Sequence, residues 1–251
     1  MLIKDFEAFI IEIFTKEKLK IVKGKNEYGF TNIGREDVLK LGYCTNLTID
    51  SAQEAVKNNI NLLITHHDAW EWMTGLKEAA LEILKQSNIT HFYIHLPLDD
   101  AEFGNNTSIL KKLGFKVIDK FSNEGGMYCG RIGEINEPIE FEELVNKIEI
   151  LLEEPVRKWK NNERLIKKIG VITGAGFSAI DIKDAVKLGC DAYFTGEKIL
   201  YTVQYAQFSK INLIVGSHTF TEIFGLESLV EMLNERYPLV EIIRIKEEHI
   251  E

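Results

Sequence analysis

Six short apolar runs, separated mostly by helix-like stretches, constrain this chain more than any other feature. They are LKLGYCT (39–45), NLLIT (61–65), HFYIH (91–95), KKIGVIT (167–173), DAYFT (191–195) and NLIVG (212–216). Helical patterns such as IDSAQEAVKNN, LKEAALEILKQS and SAIDIKDAVKLG fill the gaps. Runs that are apolar on both faces and alternate with helices signal a mostly parallel sheet covered by helices. Right-handed crossovers would join the strands. The expected fold class is α/β.

The order of segments suggests two related halves. Residues 3–16 place Ile3, Phe6, Ile10 and Phe14 on one helical face, and 21–36 read as a loop broken by Gly24, Gly29 and Gly34. An N-terminal α/β lobe is expected over 1–122 and a C-terminal α/β lobe over 167–251. Residues 123–166 would bridge them with a strand (127–133) and a long charged helix (138–160) that Pro155 kinks or ends. The segments EAVKNNINLLITHH and DAVKLGCDAYFTGE look alike, as a distant internal duplication would leave them.

Charge narrows the function. Among 251 residues, 30 Lys and Arg face 39 Asp and Glu, a net charge of −9. General nucleic-acid or membrane-surface binding needs clustered cations and is not expected. A local patch for a small anion remains compatible. The start, MLIKDFEAFIIEIFTKEK, lacks the apolar core and cleavage site of a signal peptide, and no apolar stretch reaches the roughly 18 residues of a membrane span. Cys44, Cys129 and Cys190 are odd in number and far apart, which reads as reduced thiols of a cytoplasmic protein.

Polar residues follow the apolar runs in a pattern. NLLIT ends in His66-His67, and HFYI ends in His95 with Asp99 four residues on. DAYFT runs into Gly196-Glu197, and NLIVG leads to Ser217-His218 with Glu222 four residues on. Ligands of open α/β sheets bind beyond the carboxyl ends of the strands, so these groups are expected to converge. Each also has a plainer reading. His66-His67 could be satisfied by local hydrogen bonds, Asp99 or Asp100 could cap a helix, and His218/Glu222 could be a solvated i, i+4 pair. Three imidazoles and two carboxylates exceed what one tetrahedral zinc ion needs, whereas two ions bridged by a carboxylate would use all five. Such N/O ligands suit Zn, Fe, Mn, Co or Ni without choosing among them. The loop VITGAGFSAIDIKDAV superficially matches a dinucleotide fingerprint, but a phosphate or carboxylate contact is the favoured reading.

Four segments in order carry a resemblance: LLITHH (62–67), HLPLD (95–99), VITGAGFSAIDIKDAVKLGCDAYFTGE (171–197) and GSHTFTEIFGLESLVEML (216–233). They resemble the NIF3-like proteins, also described as GTP cyclohydrolase I type 2 homologues. The resemblance implies two related α/β lobes with mostly parallel sheets and a dinuclear metal site between them. It implies His66, His67, Asp99, His218 and Glu222 as ligands of two divalent metal ions, with Glu222 bridging, and His95 as a cavity histidine. It also implies a homohexamer. The family's Asp-Asn-x-Gly-Leu-like segment is represented only by NEYGF (26–30), and Asp68 followed by AWEW stands where many members have Pro. Two functions follow as expectations. One is a metal-dependent hydrolase of a nucleotide-like small molecule, with ring opening of a purine as the leading candidate and His95 or Glu197 carrying protons. The other is a non-catalytic metal-binding or regulatory protein.

Overall fold

The computed structural model describes residues 1–22, 24–70 and 72–249. The chain opens with α1 (Ile3–Phe14), α2 (Lys16–Ile21), β1 (Tyr28–Asn32), β2 (Lys40–Asn46), α3 (Ile49–Lys57), β3 (Leu62–His67), α4 (Leu76–Gln86), β4 (Thr90–Ile94) and α5 (Leu96–Asp99). It continues with α6 (Asn105–Lys112), β5 (Lys116–Glu124), β6 (Met127–Ile139), α7 (Phe141–Leu152), β7 (Arg157–Trp159), β8 (Ile166–Ile172), α8 (Ala179–Lys187) and β9 (Ala192–Thr195). The last elements are α9 (Leu200–Ser209), β10 (Asn212–Val215), α10 (His218–Thr221), α11 (Ile223–Arg236) and β11 (Glu241–Arg244).

Residues 1–101 and 226–249 form one compact unit, and 102–225 form a second. The first holds a five-stranded sheet in the order β1-β4-β3-β2-β11. β4, β3, β2 and β11 are parallel, while β1 closes the edge antiparallel to β4. The second holds a six-stranded sheet in the order β5-β6-β8-β9-β10-β7. Its β8, β9 and β10 are parallel, and antiparallel strands flank them on both sides.

The apolar runs become the parallel centres because both of their faces are covered. All of β3 is buried, and Ala52, Ala55, Ala80 and Leu84 of α3 and α4 belong to the same core as its Leu63. In the second unit Ile182 and Ala185 of α8 share a core with Tyr193 and Leu213. α1 forms as its apolar spacing requires, burying Phe6, Phe9, Ile10 and Phe14. Burial also pushes the thiols of Cys44 and Cys190 upward, the latter to about 12, so these cysteines act as packing residues.

Two stretches differ from their sequence reading. The supposed loop 21–36 contains β1, whose residues are all half-buried and so carry no alternating signal. The helix expected over 138–160 is shorter. It ends at Leu152, Glu153 turns left-handed at φ 57°, and Arg157–Trp159 becomes an edge strand beside β10. Residues 123–166, read as a bridge, contribute β6, α7, β7 and the start of β8 to the second unit. The chain end also returns to the first unit, where β11 pairs with β2. The last two residues of the 167–251 segment lie outside the described residues.

Candidate metal centre

In the first unit, β3 is apolar through Ile64 and then delivers His66 and His67, both buried, at its carboxyl end. β4 ends beside it, and His95 follows at once. The imidazole centroids lie 4.6 Å (His66–His67), 5.0 Å (His66–His95) and 5.2 Å (His67–His95) apart. One ring nitrogen from each falls within 4.8 Å of the others, a group that could hold a metal ion. The single turn of α5, containing Pro97, brings Asp99 Oδ1 to 3.5 Å from His66 Nε2. Asp100 pairs with Lys18 at 3.1 Å, and the next helix takes Gly104 as its N-cap, so Asp100 is not that cap.

The acceptors behind the rings fix their tautomers. His66 Nδ1 donates to the Ile94 carbonyl at 2.9 Å. His67 Nδ1 donates to Asn46 Oδ1 at 2.8 Å, and Asn46 is oriented by its own Nδ2 donating to Glu247 at 2.9 Å. His95 Nδ1 meets Glu27 Oε2 at 2.6 Å. In each case the ring proton sits on Nδ1 and the basic lone pair on Nε2, the arrangement of a metal-binding imidazole with an outer partner.

In the second unit, Ser217 caps the short helix after β10, with its side chain accepting from the Phe220 amide. One turn later the i, i+4 spacing brings Glu222 Oε2 to 3.0 Å from His218 Nε2. Glu197, just beyond β9, accepts from His218 Nδ1 at 2.6 Å. Burial works against a charged His218 ring, but the Glu222 and Glu197 carboxylates overcome it and raise its pKa to about 11. A divalent cation at Nε2 would replace that proton and answer the same carboxylate charge, so the donor set fits a metal.

The glycine loop holds this pair in shape. Gly174, at φ 61°, lies so close that a Cβ there would be 2.1 Å from Glu222 Oε1 and 2.9 Å from His218 Nε2. Its N–H donates to Thr221 Oγ1 at 2.9 Å, and its carbonyl accepts from Thr195 Oγ1 at 3.1 Å. The carboxylate this loop meets is therefore the chain's own Glu222. No dinucleotide is needed to explain its glycines.

The structure thus gathers His66, His67, His95 and Asp99 in one unit and Glu197, His218 and Glu222 in the other. Sequence reasoning missed Glu27, Asn46 and Glu247. Glu27 had a signal, since it lies in NEYGF. Asn46 closes an apolar run as the histidines do. Nothing local marks Glu247.

The sequence profile of the Duf34/NIF3 (NGG1p interacting factor 3) family matches residues 1–250. The chain belongs to this family. Its relatives include the GTP cyclohydrolase 1 type 2 homolog of Haemophilus influenzae, 30% identical over 81% of this chain and 83% of the relative. The protein of the same name from Pyrococcus abyssi is 28% identical over 85% and 86%. Among solved structures, protein ybgI superposes with a TM-score of 0.85 at 25% identity, covering 99% of each chain. The Duf34/NIF3 fold and the His/Glu groups able to bind metal are thus common ground between sequence and structure.

Proposed function

We propose that this chain is a metal-dependent hydrolase that uses two divalent ions and acts on a nucleotide-like small molecule. His66, His67 and Asp99 from the first unit and His218 and Glu222 from the second would be the ligands, with Glu222 the shared carboxylate. The observation that carries the proposal is the common use of Nδ1. Each imidazole of the two groups gives its Nδ1 to an oxygen, which leaves Nε2 as the nitrogen a cation would take. The names of the curated relatives support ring opening of a purine as the leading reaction.

Bound there, the cations would supply a water of lowered pKa and charge to offset a developing oxyanion. The chain's own groups orient and move protons. His95, steadied by Glu27, is placed to take a proton at Nε2. Glu197 holds the His218 ring and acts as a positioning residue. Self-association into a homohexamer belongs to the same proposal, supported by the exposed apolar side chains Leu200, Tyr201 and Phe208 along α9.

The test is formate release from GTP, and turnover of a panel of cyclic amides and phosphoesters, by metal-loaded protein. Metal-dependent turnover that falls at least tenfold in His95→Gln is expected. Stoichiometric metal with no turnover would replace the hydrolase reading with the non-catalytic one. Among the described residues no helix is long and apolar enough to cross a membrane.

A further inference from the structure

Beside the imidazole group, wholly within the first unit, lies a cavity of about 280 Å³. His67, Tyr93 and His95 line it on one side, and Trp70 and Trp72 on another. The indoles are stacked, with centroids 4.8 Å apart and planes 21° from parallel. Trp70 also packs on His67 at 4.7 Å. Trp72 ends this three-ring ladder and is 74% exposed. A lone exposed apolar residue is ordinary, but a contiguous aromatic ladder that runs from a cavity wall into solvent is an informative patch. Here it stands in AWEW, directly after Asp68.

The charged lining is selective. Lys77 is held by Asp68 at 2.6 Å, and Glu27 is hydrogen-bonded to His95 at 2.6 Å. Lys25, exposed at the same cavity, is the cation outside either pair among the described lining residues. The volume falls just below the roughly 300–1,000 Å³ typical of small-molecule pockets, which suits one ring system rather than an extended ligand. Flat aromatic faces bind flat rings by offset stacking, and bases of any sequence share such a face.

We infer that Trp70 and Trp72 form a stacking platform for a planar heteroaromatic ring carrying an anionic substituent, with Lys25 contacting the anion. The platform determines specificity at the mouth of the His67/His95 cavity. This deepens the hydrolase reading by naming the residues that would hold the ring and its anion, and rests on that reading only for the chemistry beneath the ring.

Isothermal titration calorimetry with guanosine, adenosine and uridine 5′-monophosphates tests it, with ribose 5-phosphate as the non-aromatic control. Both metal-loaded and EDTA-treated protein are titrated, and metal content is measured on each preparation. The nucleotides are expected to saturate one site per chain in both forms, and ribose 5-phosphate to bind at least tenfold more weakly. Trp72→Ala should weaken nucleotide binding about 5- to 100-fold, as loss of one stacking face does. Because Trp72 is exposed, this variant is expected to fold and to keep its metal content. Lys25→Ala should weaken the monophosphates severalfold and leave the parent nucleosides unchanged. Ribose 5-phosphate binding as well as the nucleotides, or Trp72→Ala leaving nucleotide affinity intact, would overturn the inference. Trp72→Ala that only lowers the mass of the assembly would overturn it too, by making the indole a subunit contact. Ring binding without any metal would leave this inference standing and remove the hydrolase reading; metal without ring binding would do the reverse.

Discussion

The ends of β3 and β9 share a scaffold and carry different groups. Both strands follow a helix through a left-handed residue, Asn59 at φ 56° and Gly189 at φ 78°. Asn61 then accepts from the amides of Leu39 and Lys40, and Asp191 at the matching place accepts from those of Lys167 and Lys168. This match of backbone and side chain supports the internal duplication. Where β3 ends in His66-His67, β9 leads to Gly196-Glu197. A histidine cannot stand at 196, because a Cβ there would be 2.6 Å from Thr221 Oγ1 and 2.8 Å from the Ser217 carbonyl. The second unit takes its imidazole from the turn after β10 instead, and Glu197 becomes that ring's partner. The lesson is that a duplicated strand end can trade a ligand for the group that orients one.

The comparison breaks most sharply at Glu222, which is buried beside His218 and Gly174. Glu222→Ala should lower metal affinity by more than the roughly 10- to 100-fold typical of an outer partner. Elemental analysis after dialysis checks this, and unchanged stoichiometry would remove Glu222 from the ligand set. Gly174→Ala touches no ligand covalently but drives a methyl into that carboxylate. It should cost about 1–3 kcal/mol for the left-handed backbone and lower metal content as well, measured by thermal unfolding alongside metal analysis. Metal content equal to wild type would show that the loop is not what shapes the pair.

The outer partners sharpen the contrast between units. His66 and His67 lean on neutral oxygens, whereas His218 has a carboxylate at each nitrogen. Asn46→Ala should therefore cost about tenfold in metal affinity, and Asp99→Asn less, since an amide oxygen still coordinates. Competition titration with a chromogenic chelator gives both numbers. A larger loss for Asp99→Asn than for Asn46→Ala would reverse this ranking.

A different kind of effect concerns His91, an imidazole outside both candidate metal groups. Thr65 donates its hydroxyl to the His67 carbonyl at 2.6 Å, so it accepts from His91 Nε2 at 2.8 Å, and His91 Nδ1 meets the Thr31 hydroxyl. Burial, helped by the nearby Lys77 charge, lowers its pKa to about 3. The folded ring stays neutral while the unfolded one gains a proton below about pH 6.5. Its contribution is complete above that pH and declines as pH falls toward 3, by at most about 1.4 kcal/mol per unit. Between pH 7 and pH 5, urea unfolding should show wild type losing about 2 kcal/mol more than His91→Gln. Equal losses would mean that His91 does not stay neutral in the fold.

Much of this was legible in the sequence because it is local. Apolar runs closed by His66-His67, His95 or His218 gave the strands, the strand ends and the i, i+4 pair with Glu222. β1 was not legible, since its partner β4 lies about 60 residues on and its residues do not alternate in burial. Glu27, Asn46 and Glu247 act only through pairings of distant segments, and the bond from Asn46 to Glu247 spans 201 residues. α7 ends ahead of Pro155, the residue that marked its end, and closes through a left-handed Glu153.

The most direct measurement is anomalous diffraction at metal absorption edges from crystals of metal-loaded protein. Two peaks per chain should appear, at the roughly 2.0–2.2 Å typical of nitrogen and carboxylate ligands, on the Nε2 side of His66, His67 and His218. Ions bound through Nδ1, or lying away from all three rings, would contradict the assignment.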